Sequence, residues 1–268
     1  MSSALFGPLA VSSAWAAKPK HPFKVVIDPG HGGNDHGTTQ LIGNAEVMEK
    51  QLTLALAQET ARILRAKGVV TILTRTEDKD VALGARTALA NRLKADVFLS
   101  IHMNSTDTPM VVGAEGIETF ILNNTTDATS KRLAHLENSV LSPEERAAAE
   151  SPEQLDVALI LRDLRLDANL SESKRLACIV QDHLIGTAKA KPRNRGVRQA
   201  LFHVLLGAEM PSILVEAGFL SNPRDRETMQ SPKSRHALGV ALARAIMSFR
   251  DTRGTGQAQL TLSRCKVH

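Results

Sequence analysis

Apolar residues along this chain fall into short runs, and longer amphipathic stretches separate them. Residues 24–28 (KVVID) are apolar and β-branched and stop at Pro29 and Gly30, the pattern of a buried strand. From about Glu49, Leu52, Leu56, Ile63 and Leu64 recur at spacings close to three, four and seven, which predicts a helix that Gly68 closes. Residues 69–73 (VVTIL) and 97–101 (VFLSI) predict two more strands. Between them a helix is predicted over 80–94, with Leu83, Thr87, Ala90 and Leu93 on one side. Residues 116–122 (GIETFIL) alternate as a fourth strand does, and 212–216 (SILVE) read as another buried one. Residues 231–250 predict a closing amphipathic helix, capped by Ser231 and carrying Pro232 in its first turn. Alternating strands and helices are the signature of right-handed crossovers and a largely parallel sheet. The expected fold class is α/β, a single domain with a central, mostly parallel twisted sheet flanked by helices.

The middle of the chain breaks this rhythm. Residues 141–170 are charged and helix-prone, and Pro143 and Pro152 each stand where a helix can begin. We read 131–170 as a helical insertion on the α/β core. A helix from Ser171 to about Gly186 then returns to the core through Leu176, Ile179, Val180 and Leu184. The domain proper is expected over 24–250, with a linker before it at 1–23 and a tail at 251–268 that has no clear partner.

Composition narrows the function classes. Aromatic residues make up 3% of the 268, with no Tyr and a single Trp, Trp15, so a platform of stacked rings for nucleic acid is not expected. The net charge of +5 fits either a basic soluble protein or attraction to an anionic polymer. The densest basic run, 189–195 (KAKPRNR), is too short to argue for nucleic acid. Cys178 and Cys265 form no metal-binding spacing, and Cys265 lies in a polar tail, so no structural bridge is expected. Residues 5–20 are an apolar stretch containing Ala14-Trp15-Ala16, an A-x-A-like cleavage site without a charged n-region. It reads as a secretory signal remnant or as a plain apolar tail. No run reaches the length of a membrane span. The expectation is a periplasmic or secreted protein, monomeric by default.

The chemistry gathers at strand ends, where open α/β sheets place their functional loops. The first strand runs into Asp28-Pro29-Gly30-His31, the third into His102-Met103-Asn104, and the late strand into Glu216-Ala217-Gly218. Glu49 opens the first long helix and can face the same rim. Two imidazoles and a carboxylate are a ligand set for zinc that leaves a fourth position open, and a second carboxylate can then act as a base. Each residue alone has a plainer reading, as a hydrogen-bonded histidine or a charge near a helix N-terminus. The glycines after the first strand match neither a dinucleotide nor a P-loop pattern.

The segments VIDPGHGG, MEKQLTLALA, LTRTED, ANRLKADVFLSIHMN, GIETFIL and MPSILVEAGFLSN follow one another in that order. In this the chain resembles the zinc-dependent N-acetylmuramoyl-L-alanine amidases of the amidase 3 type, the catalytic domain of bacterial cell-division amidases. The resemblance covers about residues 24–250. It implies His31, Glu49 and His102 as ligands of one zinc ion and Glu216 as the catalytic carboxylate. Glu46, three residues before Glu49, is the competing carboxylate. The implied reaction is hydrolysis of the amide between N-acetylmuramic acid and L-alanine of the peptidoglycan stem peptide, in cell-wall remodelling or daughter-cell separation. The alternatives are a non-catalytic peptidoglycan-binding module of the same fold, or another zinc amidohydrolase or carboxypeptidase.

The first loop reads N-D-H-G where many relatives carry a lysine, so His36 has no counterpart and is expected at the rim. The resemblance also implies that the insertion blocks the zinc cleft until a protein activator moves it. Glu144, Glu145, Glu150 and Glu153 either supply the blocking carboxylate or form a solvated acidic face, and Leu159, Ile160, Leu161 and Leu164 either dock an activator or pack the insertion onto the core.

Overall fold

A computed structural model describes residues 21–106, 114–140, 152–187, 192–255 and 265–268, with side chains in the long middle helix from residue 169 onward. In chain order the elements are β1 (Lys24–Pro29), β2 (Thr39–Ile42), β3 (Ala45–Met48), α1 (Glu49–Ala66), β4 (Val70–Leu73) and α2 (Leu83–Arg92). There follow β5 (Val97–Asn104), β6 (Ile117–Leu122), α3 (Ala128–Asn138), α4 (Pro152–Thr187), β7 (Asn194–Ala200), β8 (Ser212–Phe219), α5 (Pro223–Gln230) and α6 (Pro232–Asp251). Six strands form one sheet in the order β4-β1-β5-β8-β6-β7, and β2 and β3 form a separate hairpin. β4, β1, β5 and β8 run parallel. β6 is antiparallel to β8, and β7 follows β6. The sheet is mostly parallel, as expected.

Alternation along each strand sorts the side chains onto two faces. On one face Val25, Ile27, Leu99, Ile101, Ile213 and Val215 pack against Leu56 of α1, Leu176 of α4 and Ile246 of α6. On the other, Val26, Phe98, Phe120 and Leu214 meet Leu83 of α2, Leu133 and Ala134 of α3, and Phe202. The central strands β5 and β8 are buried along their whole length, which is why they read as continuous apolar runs. The second face changes character toward the carboxyl ends of β5 and β8, where His102 and Glu216 replace apolar side chains.

Four features differ from the sequence reading. The hairpin and β7 were not expected: β2 and β3 turn at Gly43 in the left-handed region, and β7 is a polar edge strand. The second half of the insertion and the return helix are one continuous helix, α4. Cys178 and Cys265 form a disulfide with Cα atoms 6.0 Å apart, against the expectation of no bridge. The tail has a partner after all: Val267 pairs with Val197 of β7, and the His268 amide donates to the Val197 carbonyl at 2.9 Å. An edge strand offers unpaired backbone groups, and the tail covers some of them here. Among the described residues no helix is long and apolar enough to cross a membrane.

Candidate metal centre

The loop after β1 turns at His31, whose φ of 61° lies in the left-handed region that side chains rarely enter. Two buried arginines hold that turn from beneath. Arg75 donates from Nε to the Pro29 carbonyl at 3.1 Å and from Nη2 to the carbonyls of Gly30 and Lys50, both at 2.8 Å. Arg86 donates to the carbonyls of Pro29 at 3.0 Å and His31 at 3.2 Å. Its Nη1 also lies 2.9 Å from Oδ1 of Asp28. Burial pushes the Asp28 carboxyl up, but Arg86 and the hydroxyls of Thr74 and Ser100 outweigh it and hold it below its usual range.

On this scaffold each candidate ligand is oriented by a second contact. His31 Nδ1 donates to Asp35 at 2.8 Å, so Nε2 is left with its lone pair free for an ion. Glu49, the first residue of α1, accepts from the Met103 amide at Oε1 (2.8 Å) and from the Thr38 amide at Oε2 (2.9 Å). Two glycines leave the room. A Cβ on Gly30 would stand 2.4 Å from the His102 ring, and one on Gly37 would stand 2.5 Å from the His31 ring and 2.7 Å from Glu49.

His31 Nε2, His102 Nδ1, Glu49 Oε1 and Glu137 Oε2 then converge, all within 4.8 Å of one another. His31 lies 3.1 Å from Glu49 and 3.3 Å from Glu137, and His102 lies 3.2 Å and 3.0 Å from the same two carboxylates. Both imidazole nitrogens and Glu137 Oε2 are buried without a hydrogen bond, although buried polar atoms are nearly always bonded. Ligands at ~2.0–2.1 Å around a tetrahedral zinc stand about 3.3 Å apart. The spacing, the orphaned lone pairs and the nitrogen–oxygen donor set therefore fit such an ion.

The protonation states follow the same geometry. Burial disfavours charge on His102, but Glu137 and Glu49 outweigh it and raise its pKa to about 10. For His31, burial is likewise outweighed by Glu49 and Glu137, and its pKa stands well above the usual value. Burial would raise the Glu49 carboxyl, yet the two histidines hold it below its ordinary range. An ion would compete with protons for these two nitrogens, so its affinity should depend on pH.

Glu216 sits beside this cluster, level with His102 across β5 and with Glu118 across β6. It is fully buried, and neither carboxylate oxygen has a hydrogen-bond partner. Burial pushes its carboxyl well above the usual range; His102 opposes this, and Glu137, Glu49 and Glu118 add to it. A carboxyl so placed is suited to proton transfer.

The structure thus brings His31, Glu49 and His102 together with Glu216 at their side. Glu46 is exposed on β3 and is not among the converging residues. His36 is exposed as well, and its carbonyl accepts from the Lys50 amide. Two residues were missed. Asp35 lies four residues past His31 in the same tight loop, a spacing that could have suggested contact. Glu137 lies in the last turn of α3, ahead of the acidic segment 141–170. Glu144, Glu145, Glu150 and Glu153, and Leu159, Ile160, Leu161 and Leu164, have side chains outside the described residues.

Residues 25–248 match the family described as N-acetylmuramoyl-L-alanine amidase. The chain is 33% identical over 228 residues to the amidase AmiC of Neisseria meningitidis serogroup B, covering 85% of this chain and 53% of that protein. It is 31% identical over 229 residues to AmiA of Salmonella typhimurium, covering 84% of this chain and 75% of the relative. The crystal structure of an N-acetylmuramoyl-L-alanine amidase from Clostridium difficile 630 superposes with a TM-score of 0.64 at 30% identity, covering 87% of this chain and 99% of that one.

Proposed function

The chain belongs to the N-acetylmuramoyl-L-alanine amidase family, and from that premise we propose that it hydrolyses the amide between N-acetylmuramic acid and L-alanine of peptidoglycan, with one zinc ion. The observation that carries this reading is the convergence of His31, Glu49 and His102 beside the unpartnered carboxyl of Glu216. Bound zinc supplies a Lewis acid that polarises a carbonyl and makes water acidic near neutrality. Asp35 fixes the tautomer of His31, and the Met103 and Thr38 amides fix Glu49. Glu216 takes the proton of the attacking water and delivers it to the departing amine of L-alanine. The burial that raises its pKa favours the second step, in which the carboxyl gives up its proton; the first step needs the carboxylate, which the positive charge of a bound ion would favour.

Glu137 gives the reading a resting state. His31, Glu49 and His102 would hold the ion, and Glu137 on α3 stands among their donor atoms, where water and substrate would otherwise have to reach. Leu133 and Ala134 pack α3 onto the sheet. Asn138 donates to the Leu201 carbonyl and accepts from the His203 amide, each at 2.8 Å. On this reading a protein activator that docks on the insertion draws α3 away. Peptidoglycan as substrate and the Cys178–Cys265 bridge both support a periplasmic or secreted location, since structural disulfides persist in oxidising compartments.

Digestion of peptidoglycan with and without a chelator, with products identified by mass, tests the proposal. The expected products are free stem peptides and intact glycan, lost with the metal. Cleavage within the peptide would make this a carboxypeptidase-type enzyme, and binding without cleavage by the parent and by Glu137→Ala alike would make it a non-catalytic module.

A further inference from the structure

Beyond Glu216 the same face of the sheet carries a second charged centre. Glu118 on β6 is 1% exposed and level with Glu216. Its Oε2 lies 3.1 Å from Nε of Arg195 and 3.0 Å from Nε of Arg198, both on β7, and its Oε1 accepts from Asn104 at 2.6 Å. One buried carboxylate thus accepts a hydrogen bond from Arg195 and is ion-paired with Arg198, whose Nε is buried without a hydrogen-bond partner. Arg195 is fixed further by the Phe219 ring, 4.8 Å from its guanidinium carbon. Arg198 donates from Nη1 to Oδ2 of Asp127 at 3.1 Å.

Asp127 is the N-cap of α3. The one helix therefore sets a carboxylate at each of two centres, Glu137 among the imidazoles and Asp127 on Arg198. Ten residues of helix separate them, about 15 Å along the axis. An extended peptide covers that distance in about four residues at ~3.3–3.6 Å each. When α3 leaves the cleft, Arg198 loses Asp127, the acceptor of its hydrogen bond, and keeps the ion pair with Glu118, while Arg195 keeps its hydrogen bond to Glu118. A guanidinium freed in this way is suited to a planar carboxylate.

We propose that Arg198, with Arg195 beside it, recognises a carboxylate of the substrate's peptide, and that Asp127 occupies this site while α3 is closed. The inference rests on the amidase reading and on α3 as the element that yields to substrate. The carboxylate is either an acidic side chain or the free C-terminus of the peptide.

The test uses the full chain with zinc and soluble muramyl tetrapeptides in three forms: unmodified, amidated at the acidic side chain, and amidated at the C-terminus. KM and kcat are measured for the parent protein and for Asp127→Asn, Arg198→Gln and Arg198→Lys. Arg198→Gln should raise KM about tenfold on the unmodified peptide with little change in kcat, since it removes a charge-assisted hydrogen bond. It should also erase the parent's preference over one of the amidated forms, which identifies the source of the carboxylate. Arg198→Lys should recover part of the loss, and Asp127→Asn should lower KM. If Arg198 serves only to fasten α3, Arg198→Gln and Asp127→Asn will activate alike on all three peptides, and the proposal is overturned. Absence of cleavage by every protein, and by Glu137→Ala as well, would defeat the amidase reading itself. Calorimetric binding of the unmodified peptide then decides separately. Asp127→Asn should bind it about tenfold more tightly than Arg198→Gln, and equal binding overturns the site.

Discussion

Oε2 of Glu137 lies 3.0 Å from Nδ1 of His102, inside the set of lone pairs that fits an ion. A carboxylate there excludes the water and the substrate carbonyl from the same position. Glu137→Ala should therefore keep its zinc and release dye-labelled peptidoglycan at least about tenfold faster than the parent, the ratio for a cleft about one-tenth open at rest. Zinc content and turnover are measured on the same samples. A fall in both would make Glu137 a permanent ligand and remove the resting state.

Glu216 is predicted to separate catalysis from metal binding. Glu216→Gln keeps the shape of the side chain and removes its ability to take a proton. Its kcat should fall by about 10²–10⁴-fold, the usual contribution of a positioned acid–base group, with zinc retained. Turnover within a few-fold of the parent would move the base elsewhere.

What the sequence made legible follows from how each residue is held. His31, His102 and Glu216 stand at the ends of buried strands, and Glu49 opens a helix, so apolar periodicity alone located their backbone. Glu137 was not visible in that way. It sits near the end of an amphipathic helix where a charged residue normally faces water, and only tertiary docking of α3 turns it inward. β7 escaped notice because an edge strand with half-exposed arginines lacks the alternation of a half-buried one. The bridge from Cys178 to Cys265 depends on a tail returning to that same edge, which local sequence does not encode.

Asp35 is predicted to matter through His31. Asp35→Asn leaves the three ligands present but weakens the acceptor for His31 Nδ1, which lies 2.8 Å away. Loss of such an outer contact typically costs about 10–100-fold in metal affinity. Competition with a chromophoric chelator should show that shift, whereas His31→Ala or His102→Ala should abolish stoichiometric zinc. Unchanged affinity in Asp35→Asn would mean that the loop backbone alone orients the ring.

The buried pair of Asp28 and Arg86 makes stability depend on pH in a defined direction. The Asp28 carboxyl is held below its ordinary range, so its contribution is fully present above its unfolded pKa of about 3.9 and is lost as pH falls through the folded value. Arg86→Met strands that carboxylate in the core, which should cost about 3–5 kcal/mol at pH 7. Without Arg86 the folded pKa rises above the unfolded one, so acid relieves the variant. Urea unfolding at pH 7 and pH 4 should show the gap between variant and parent narrowing at the lower pH. A constant gap would assign the loss to packing rather than charge.

The disulfide is predicted to stabilise the whole domain and to fasten the sheet edge. Cys178 and Cys265 are 87 positions apart, a loop whose closure removes about 4–5 kcal/mol of unfolded-chain freedom in the chain-entropy account. Cys178→Ser should lower the Tm by roughly 10 °C, at about 2–4 °C per kcal/mol for a domain near this size. Reducing agent should bring the parent to the same value and leave the variant unchanged. Hydrogen exchange should report where the loss begins. The His268 amide donates to Val197 and can hold that bond only while the tail is tethered, so it should exchange fastest after reduction. Protection that persists there under reducing conditions would show that the edge pairing, not the bridge, seats the tail on β7.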